Sequence, residues 1–316
     1  MMALSIAVSP AIGETMSPLS ENTRGAALMM GSMAAFTFND ACMKALSDEV
    51  PFFQALFLRG CGTVLLLLVA TRLMGALRFR LPRRDWALIA TRTLAEICAA
   101  YFFITALFNA PLANVTAIIQ AVPLAVTLAG ALFLGEVVGW RRWGAILIGF
   151  GGVMMIVRPG TEGFTIFSVY ALVAVACVTL RDLATRRLSG AVPSLTVALS
   201  AAVGVTLFAG TGAAIGGEWV ALGPRPALQL AGATVFVIGG YLFSVMAMRV
   251  GEVAVVAPFR YTALVWALLL GAVVFGDWPS GWTLAGAAVV VATGIYTFYR
   301  ERRLARAAGP APLRIR

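Results

Sequence analysis

Asp40 and Lys44 sit four residues apart at the end of an apolar run that begins at Gly25, and Asp182 and Arg186 repeat that arrangement at an offset of 142. Leu46, Ser47 and Pro51 recur at the same offset as Leu188, Ser189 and Pro193. On a helix, an acid and a base spaced i, i+4 share a face and offset one another's charge. Such pairs can hold a gate shut, and a carboxylate among them can carry a proton. At a helix end they can equally snorkel to water, and the spacing alone leaves both readings open.

Other charges lie deeper in apolar stretches: Arg59, Arg92, Glu96 and Arg260. A lone charge at the bilayer centre costs about 2.5 to 3.5 kcal/mol on insertion scales, so each is expected to face a partner or a wet cavity. Arg92 and Glu96 are spaced to pair with each other. Gln120 is the repeat counterpart of Tyr261, and Arg260, Tyr261 and Trp266 follow Pro258. Together with Arg59, Tyr101 and Tyr241, these residues are candidates to line a site near the middle of a membrane. Aromatic walls would stack a planar or apolar body, and an arginine would take an anionic group. Tyr101, Tyr241 and Trp266 also suit packing or interfacial anchoring.

The elements that must position them follow from composition. The chain has 316 residues, 60% hydrophobic and 12% charged, with no histidine and a mean hydropathy of +0.91. A soluble domain carries about a quarter charged residues, so this reads as a polytopic membrane protein. The absence of histidine removes Ser-His and metal-His chemistry. Cys42, Cys61, Cys98 and Cys177 stand singly in apolar stretches and read as free thiols, with no metal set. "GFGG" at Gly149 lacks the Lys-Ser/Thr of a phosphate-binding loop and reads as packing. No enzyme, no cofactor and no ATP drive are expected.

Apolar segments long enough to span a bilayer fall near 25–46, 52–71, 86–108, 111–134, 143–157, 166–185, 194–216, 228–248, 253–275 and 282–299. With the amino terminus inside, most arginines, including Arg78, Arg80, Arg83, Arg84, Arg141, Arg142, Arg186 and Arg187, fall on the cytoplasmic side. The net charge of +10 is thus accounted for by orientation, and no nucleic-acid partner is expected. Residues 1–24 lack the basic start of a signal peptide and read as a flexible cytoplasmic tail; residues 301–316 read as a basic one resting on anionic headgroups.

"YFFITALFNAPLANV" from Tyr101 resembles "YLFSVMAMRVGEVAVV" from Tyr241, and Gly135-Glu136 matches Gly276-Asp277. Glu136 and Asp277 are expected to receive amide bonds at the start of the next helix. Residues 25–158 and 166–300 therefore read as two five-helix repeats. Five is odd, so the second copy enters the membrane from the opposite side. The expected fold is an all-α membrane protein of ten transmembrane helices in two inverted repeats, with both termini cytoplasmic.

The run "PLANVTAIIQAVPLAVTLAGALFLGEVVGWRRWGAILIGFGGVMMIVRPG" and the later "APFRYTALVWALLLGAVVFGDWP" resemble the EamA-type repeats of the drug/metabolite transporter superfamily. "PFFQALFLRG" with Arg59, together with Asn39, Asp40, Lys44, Asp182 and Pro258-Phe259-Arg260-Tyr261, is similar to the branch holding S-adenosylmethionine and riboflavin importers. The resemblance implies a ten-helix secondary carrier with a central cavity in the cell inner membrane. Such a carrier would move a small, cofactor-like metabolite, such as riboflavin or S-adenosylmethionine, by alternating access; an exporter of amino acids or other metabolites is the alternative, ahead of a non-transporting sensor. Its expected partners are a small-molecule substrate and the lipid bilayer, with a homodimer left open.

Overall fold

The computed structural model describes residues 18–74, 81–135, 139–161, 164–189 and 192–307. Their regular elements are α1 (Pro18–Lys44), α2 (Phe52–Met74), α3 (Arg83–Asn109), α4 (Leu112–Ile119), α5 (Val122–Phe133) and α6 (Trp140–Val157). After these come α7 (Ile166–Arg186), α8 (Ser194–Gly216), α9 (Pro224–Val250) and α10 (Val253–Val256), a 3-10 turn (Ala257–Tyr261), α11 (Thr262–Phe275) and α12 (Gly281–Ala307).

Among the described residues, nine spans are long and apolar enough to cross a membrane, with α4–α5 and the turn with α11 each counting as one. The molecule is an α-helical, multi-pass membrane protein. The other long helix, α1, falls short of that hydropathy because Asn39, Asp40 and Lys44 crowd its last turns. It lies inside the bundle along α9, where its polar end is shielded from lipid.

Helix ends follow the local chemistry. Prolines 51, 82, 111 and 193 stand just before α2, α3, α4 and α8, and Pro224 opens α9. At these places the missing N–H has no intrahelical partner to lose. Gly276 closes α11 with φ of 69°, a left-handed conformation that glycine adopts without a Cβ penalty.

Several boundaries depart from the sequence reading. Pro18–Arg24 already belong to α1, while residues 1–17 lie outside the described residues; at the other end α12 runs to Ala307 and only 308–316 lie outside. The fourth segment breaks at Gln120 and Ala121, just ahead of Pro123. The ninth begins with a short helix and a 3-10 turn through Pro258 before becoming regular. Arg78, Arg80 and Glu136 lie outside the described residues. Asp277 does not cap the following helix; Ser280 does, its Oγ accepting the Thr283 N–H at 3.2 Å.

Packing crosses the middle of the chain. α1 lies along α9, α3 along α7, α2 meets α8, and α6 meets α12. The α6–α12 approach depends on Gly152 and Gly286: a Cβ on Gly152 would stand 2.8 Å from the Gly286 carbonyl oxygen. Small residues let two backbones come this close, which is how spans associate where lipid gives no hydrophobic drive.

Candidate functional site

Two carboxylates, each held by the residue before it, occupy equivalent places on α1 and α7. Asn39 Nδ2 donates to Asp40 Oδ1 at 2.9 Å, and Arg181 Nε donates to Asp182 Oδ1 at 2.9 Å. A neighbouring helix supplies a second charge in each case. Arg59 of α2 donates from Nη1 to Asn39 Oδ1 at 3.4 Å and is the cation acting on Asp40. Glu96 of α3 accepts Arg181 Nη1 at 3.4 Å.

Glu96 has a second arginine beside it. Arg92 Nη2 lies 3.7 Å from Glu96 Oε2, while its Nε donates to Thr185 Oγ1 on α7 at 3.1 Å. The spacing of Arg92 and Glu96 thus does predict a pair, and that pair also reaches across to another helix. The side chains of Arg92, Glu96 and Arg181 are between 16% and 22% exposed. At such burial, hydrogen-bonded pairing is what makes charge tolerable.

Tyr241 on α9 closes this group from the other side. Its side chain is 51% exposed, yet its charged neighbours are Glu96, Arg181, Arg92 and Arg59, from α2, α3 and α7. Its hydroxyl therefore stands among the charges inside the bundle. Phe36 of α1 meets it edge-on at 5.2 Å.

Arg260, in the 3-10 turn, is also exposed, with Asp182 and Arg181 as the charges acting on it. The Gln120 side chain donates to the Arg260 backbone carbonyl at 3.1 Å, joining the break between α4 and α5 to the turn. The side chain of one interruption thus serves a backbone acceptor in the other. Arg59, Arg92 and Arg181 all donate to side chains or pair with carboxylates. Among the described residues, Arg260 has no side-chain hydrogen bond and no carboxylate within 4 Å. An exposed guanidinium without a hydrogen-bonded partner suits a carboxylate or phosphate oxygen.

The expected site is thus brought together in part. Asp40, Arg59, Arg92, Glu96, Gln120, Asp182, Tyr241 and Arg260 converge. Tyr261 does not join them; it is buried, with its hydroxyl against Gly294 and its ring 6.4 Å from Phe298. Trp266 packs on Phe38 with centroids 6.2 Å apart. Tyr101 sits among Phe52, Phe102 and Phe208. Lys44 turns away from Asp40 and donates to the carbonyls of Ala110 at 2.7 Å and Leu107 at 3.3 Å, satisfying acceptors left bare at the end of α3. Asp182 is bonded by Arg181 in place of the expected Arg186, which lies at the exposed end of α7.

Arg181 is a site residue that the sequence reading passed over. The signal for it was its place directly before Asp182, the position that Asn39 holds before Asp40.

A bundle of membrane-spanning helices with charges gathered in its interior is the build of a membrane transporter. Residues 23–158 match the EamA-like transporter family, which bears out the resemblance read from the sequence. The chain is 27% identical to the riboflavin transporter of Rhizobium johnstonii, over 74% of this chain and 76% of the relative. It is 22% identical to the S-adenosylmethionine uptake transporter of Rickettsia prowazekii, over 86% and 91%, and 26% identical to the pseudopaline exporter CntI of Pseudomonas aeruginosa, over 84% and 93%. These names denote transporters and not enzymes. A protein crystal structure shares the fold, with a TM-score of 0.63 at 21% identity over 89% of this chain and 99% of that one. As a helical multi-pass transporter, the protein belongs in the cell membrane, which in bacteria is the inner one.

Proposed function

We propose that the protein is a secondary carrier that moves a small, cofactor-like organic metabolite by rocking residues 25–158 against residues 166–300 around the Arg260 cavity. The observation that carries this reading is the free Arg260 guanidinium beside a charge group drawn from both parts of the chain. The reciprocal packing of α1 on α9 and α3 on α7 is what an inverted repeat produces, because the first helix of each half then meets the third of the other. Both termini would be cytoplasmic.

In this mechanism the substrate's anionic group docks on Arg260 and its planar or apolar body lies against Tyr241 and Phe36. Glu96 holds α3 to α7 through Arg181 and Arg92, which closes one mouth of the cavity. At the other mouth α1 and α9 meet through aromatics, Phe38 stacking on Phe236 at 5.3 Å. An anion on Arg260 offsets that guanidinium's pull on Asp182, so Asp182 turns more fully to Arg181, whose hold on Glu96 loosens. Substrate binding would thereby weaken the α3–α7 seam.

Import is supported by the relative named for S-adenosylmethionine uptake. Export is supported by the one named for pseudopaline, and the cavity chemistry is compatible with either direction. Vesicles carrying the purified protein in both orientations, offered radiolabelled riboflavin, S-adenosylmethionine and an amino-acid mixture, test the reading. Saturable movement of one compound is expected; a chain that binds none and moves none in either orientation would contradict it.

A further inference from the structure

Away from the central cavity, a groove of about 590 Å³ runs down the outside of the bundle between α3, α5 and α7. Leu88, Leu128, Phe133 and Leu180 line it, and Phe133 and Leu180 are well exposed on membrane-spanning helices, so the groove opens to lipid. Its wall on α7 extends from Ala176 to Arg187. At 1.5 Å per residue that length is roughly 16 Å, close to the depth of one leaflet's hydrocarbon, about 15 Å.

The end of the groove is basic. Arg187 is exposed and uses one guanidinium N–H to reach the Phe133 carbonyl at 3.2 Å, leaving the others open. Arg83 and Arg84 start α3 and are exposed at the same end. Asp85 fixes that placement by accepting the Ser189 amide at 3.2 Å and the Ser189 hydroxyl at 2.7 Å. A slot one acyl chain deep, apolar along its walls and cationic at its mouth, has the form of a bound lipid with an acidic headgroup.

We propose that this groove binds one acidic phospholipid, headgroup on Arg187 and acyl chain along Leu128 and Leu180. A zwitterionic lipid fits the walls equally well but brings a cationic ammonium group to a cluster of arginines. The bound lipid joins α5 to the α3–α7 seam, so it would also raise the thermal stability of the carrier.

Native mass spectrometry of the full chain in detergent, titrated with dioleoyl phosphatidylglycerol or dioleoyl phosphatidylcholine, tests this. The anionic phosphatidylglycerol is expected to bind with about fivefold higher apparent affinity, as one surface arginine provides. Arg187→Ala should abolish that preference, and Leu128→Trp, which fills the slot, should remove lipid retention altogether. Arg141→Ala, another exposed arginine that rests on Trp140 at 5.2 Å, should behave as wild type. Equal binding of the two lipids, unchanged binding in both groove variants, or an equal loss in Arg141→Ala would overturn the proposal.

Discussion

The Arg181 guanidinium lies 2.9 Å from Asp182 on its own helix and 3.4 Å from Glu96 on α3. One side chain thus joins a carboxylate from each part of the chain, and the α3–α7 seam depends on how it is shared. Arg181→Ala leaves two part-buried carboxylates without it, and is expected to lower stability by about 1 to 3 kcal/mol and to stop transport. Arg181→Lys supplies charge but not a forked donor and should recover stability more than transport. Thermal melts beside transport rates check this; a variant Ala that transports at the wild-type rate would contradict it.

The surface pair Arg225–Glu49 makes the opposite case. Its atoms are 3.7 Å apart, with side chains 78% and 40% exposed. Solvent screens such pairs, so Glu49→Gln should shift stability by less than about 0.5 kcal/mol. A larger loss in a thermal melt would show that this pair closes the α1–α2 connection onto α9.

Tyr261 and Gly294 press together so closely that any added Cβ must displace the ring. The Tyr261 hydroxyl is buried and lacks a hydrogen-bond partner. Tyr261→Phe is therefore expected to be neutral or stabilising, whereas Gly294→Ala should destabilise the packing of the 3-10 turn on α12. Combining them should recover part of the loss, because removing the hydroxyl frees space for the methyl group. Additive effects in a double-mutant cycle would contradict the contact.

Gln54 is fully buried on α2 and bonds both ways with the Val220 backbone: its Nε2 donates to the carbonyl at 2.7 Å and its Oε1 accepts the amide at 3.0 Å. This fixes the connection between α8 and α9, where Trp219 also rests on Phe57 at 6.2 Å. Gln54→Leu is expected to cost about 1 to 3 kcal/mol and to expose residues 217–223 to limited proteolysis. Unchanged cleavage would mean that Trp219 holds the strap alone.

The helices and the charges inside them were legible in the sequence, since bilayer thickness fixes span length and a charge in an apolar run must find water or a partner. Partner choice was less legible. The i, i+4 spacing says which side chains share a helix face, and Arg92–Glu96 obeys it. It says nothing of acceptors on other helices, so it did not show that Lys44 bonds the end of α3 or that Arg181 bridges Glu96 and Asp182. Aromatic roles failed for a similar reason. Tyr241 and Tyr101 hold matching places in two similar stretches of sequence, but one stands beside the interior charges and the other among phenylalanines. The glycine that accommodates Tyr261 lies 33 residues further along the chain, at Gly294.

Arg260 carries the central claim, and transport by its variants measures it. Uptake of radiolabelled riboflavin and S-adenosylmethionine into vesicles would be compared for wild type, Arg260→Ala and Arg260→Lys, with thermal melts showing that all three fold alike. Saturable uptake of one compound by wild type, lost in the alanine variant and partly kept in the lysine variant, is the predicted result. Wild-type uptake unchanged by Arg260→Ala would place substrate binding elsewhere and contradict the account.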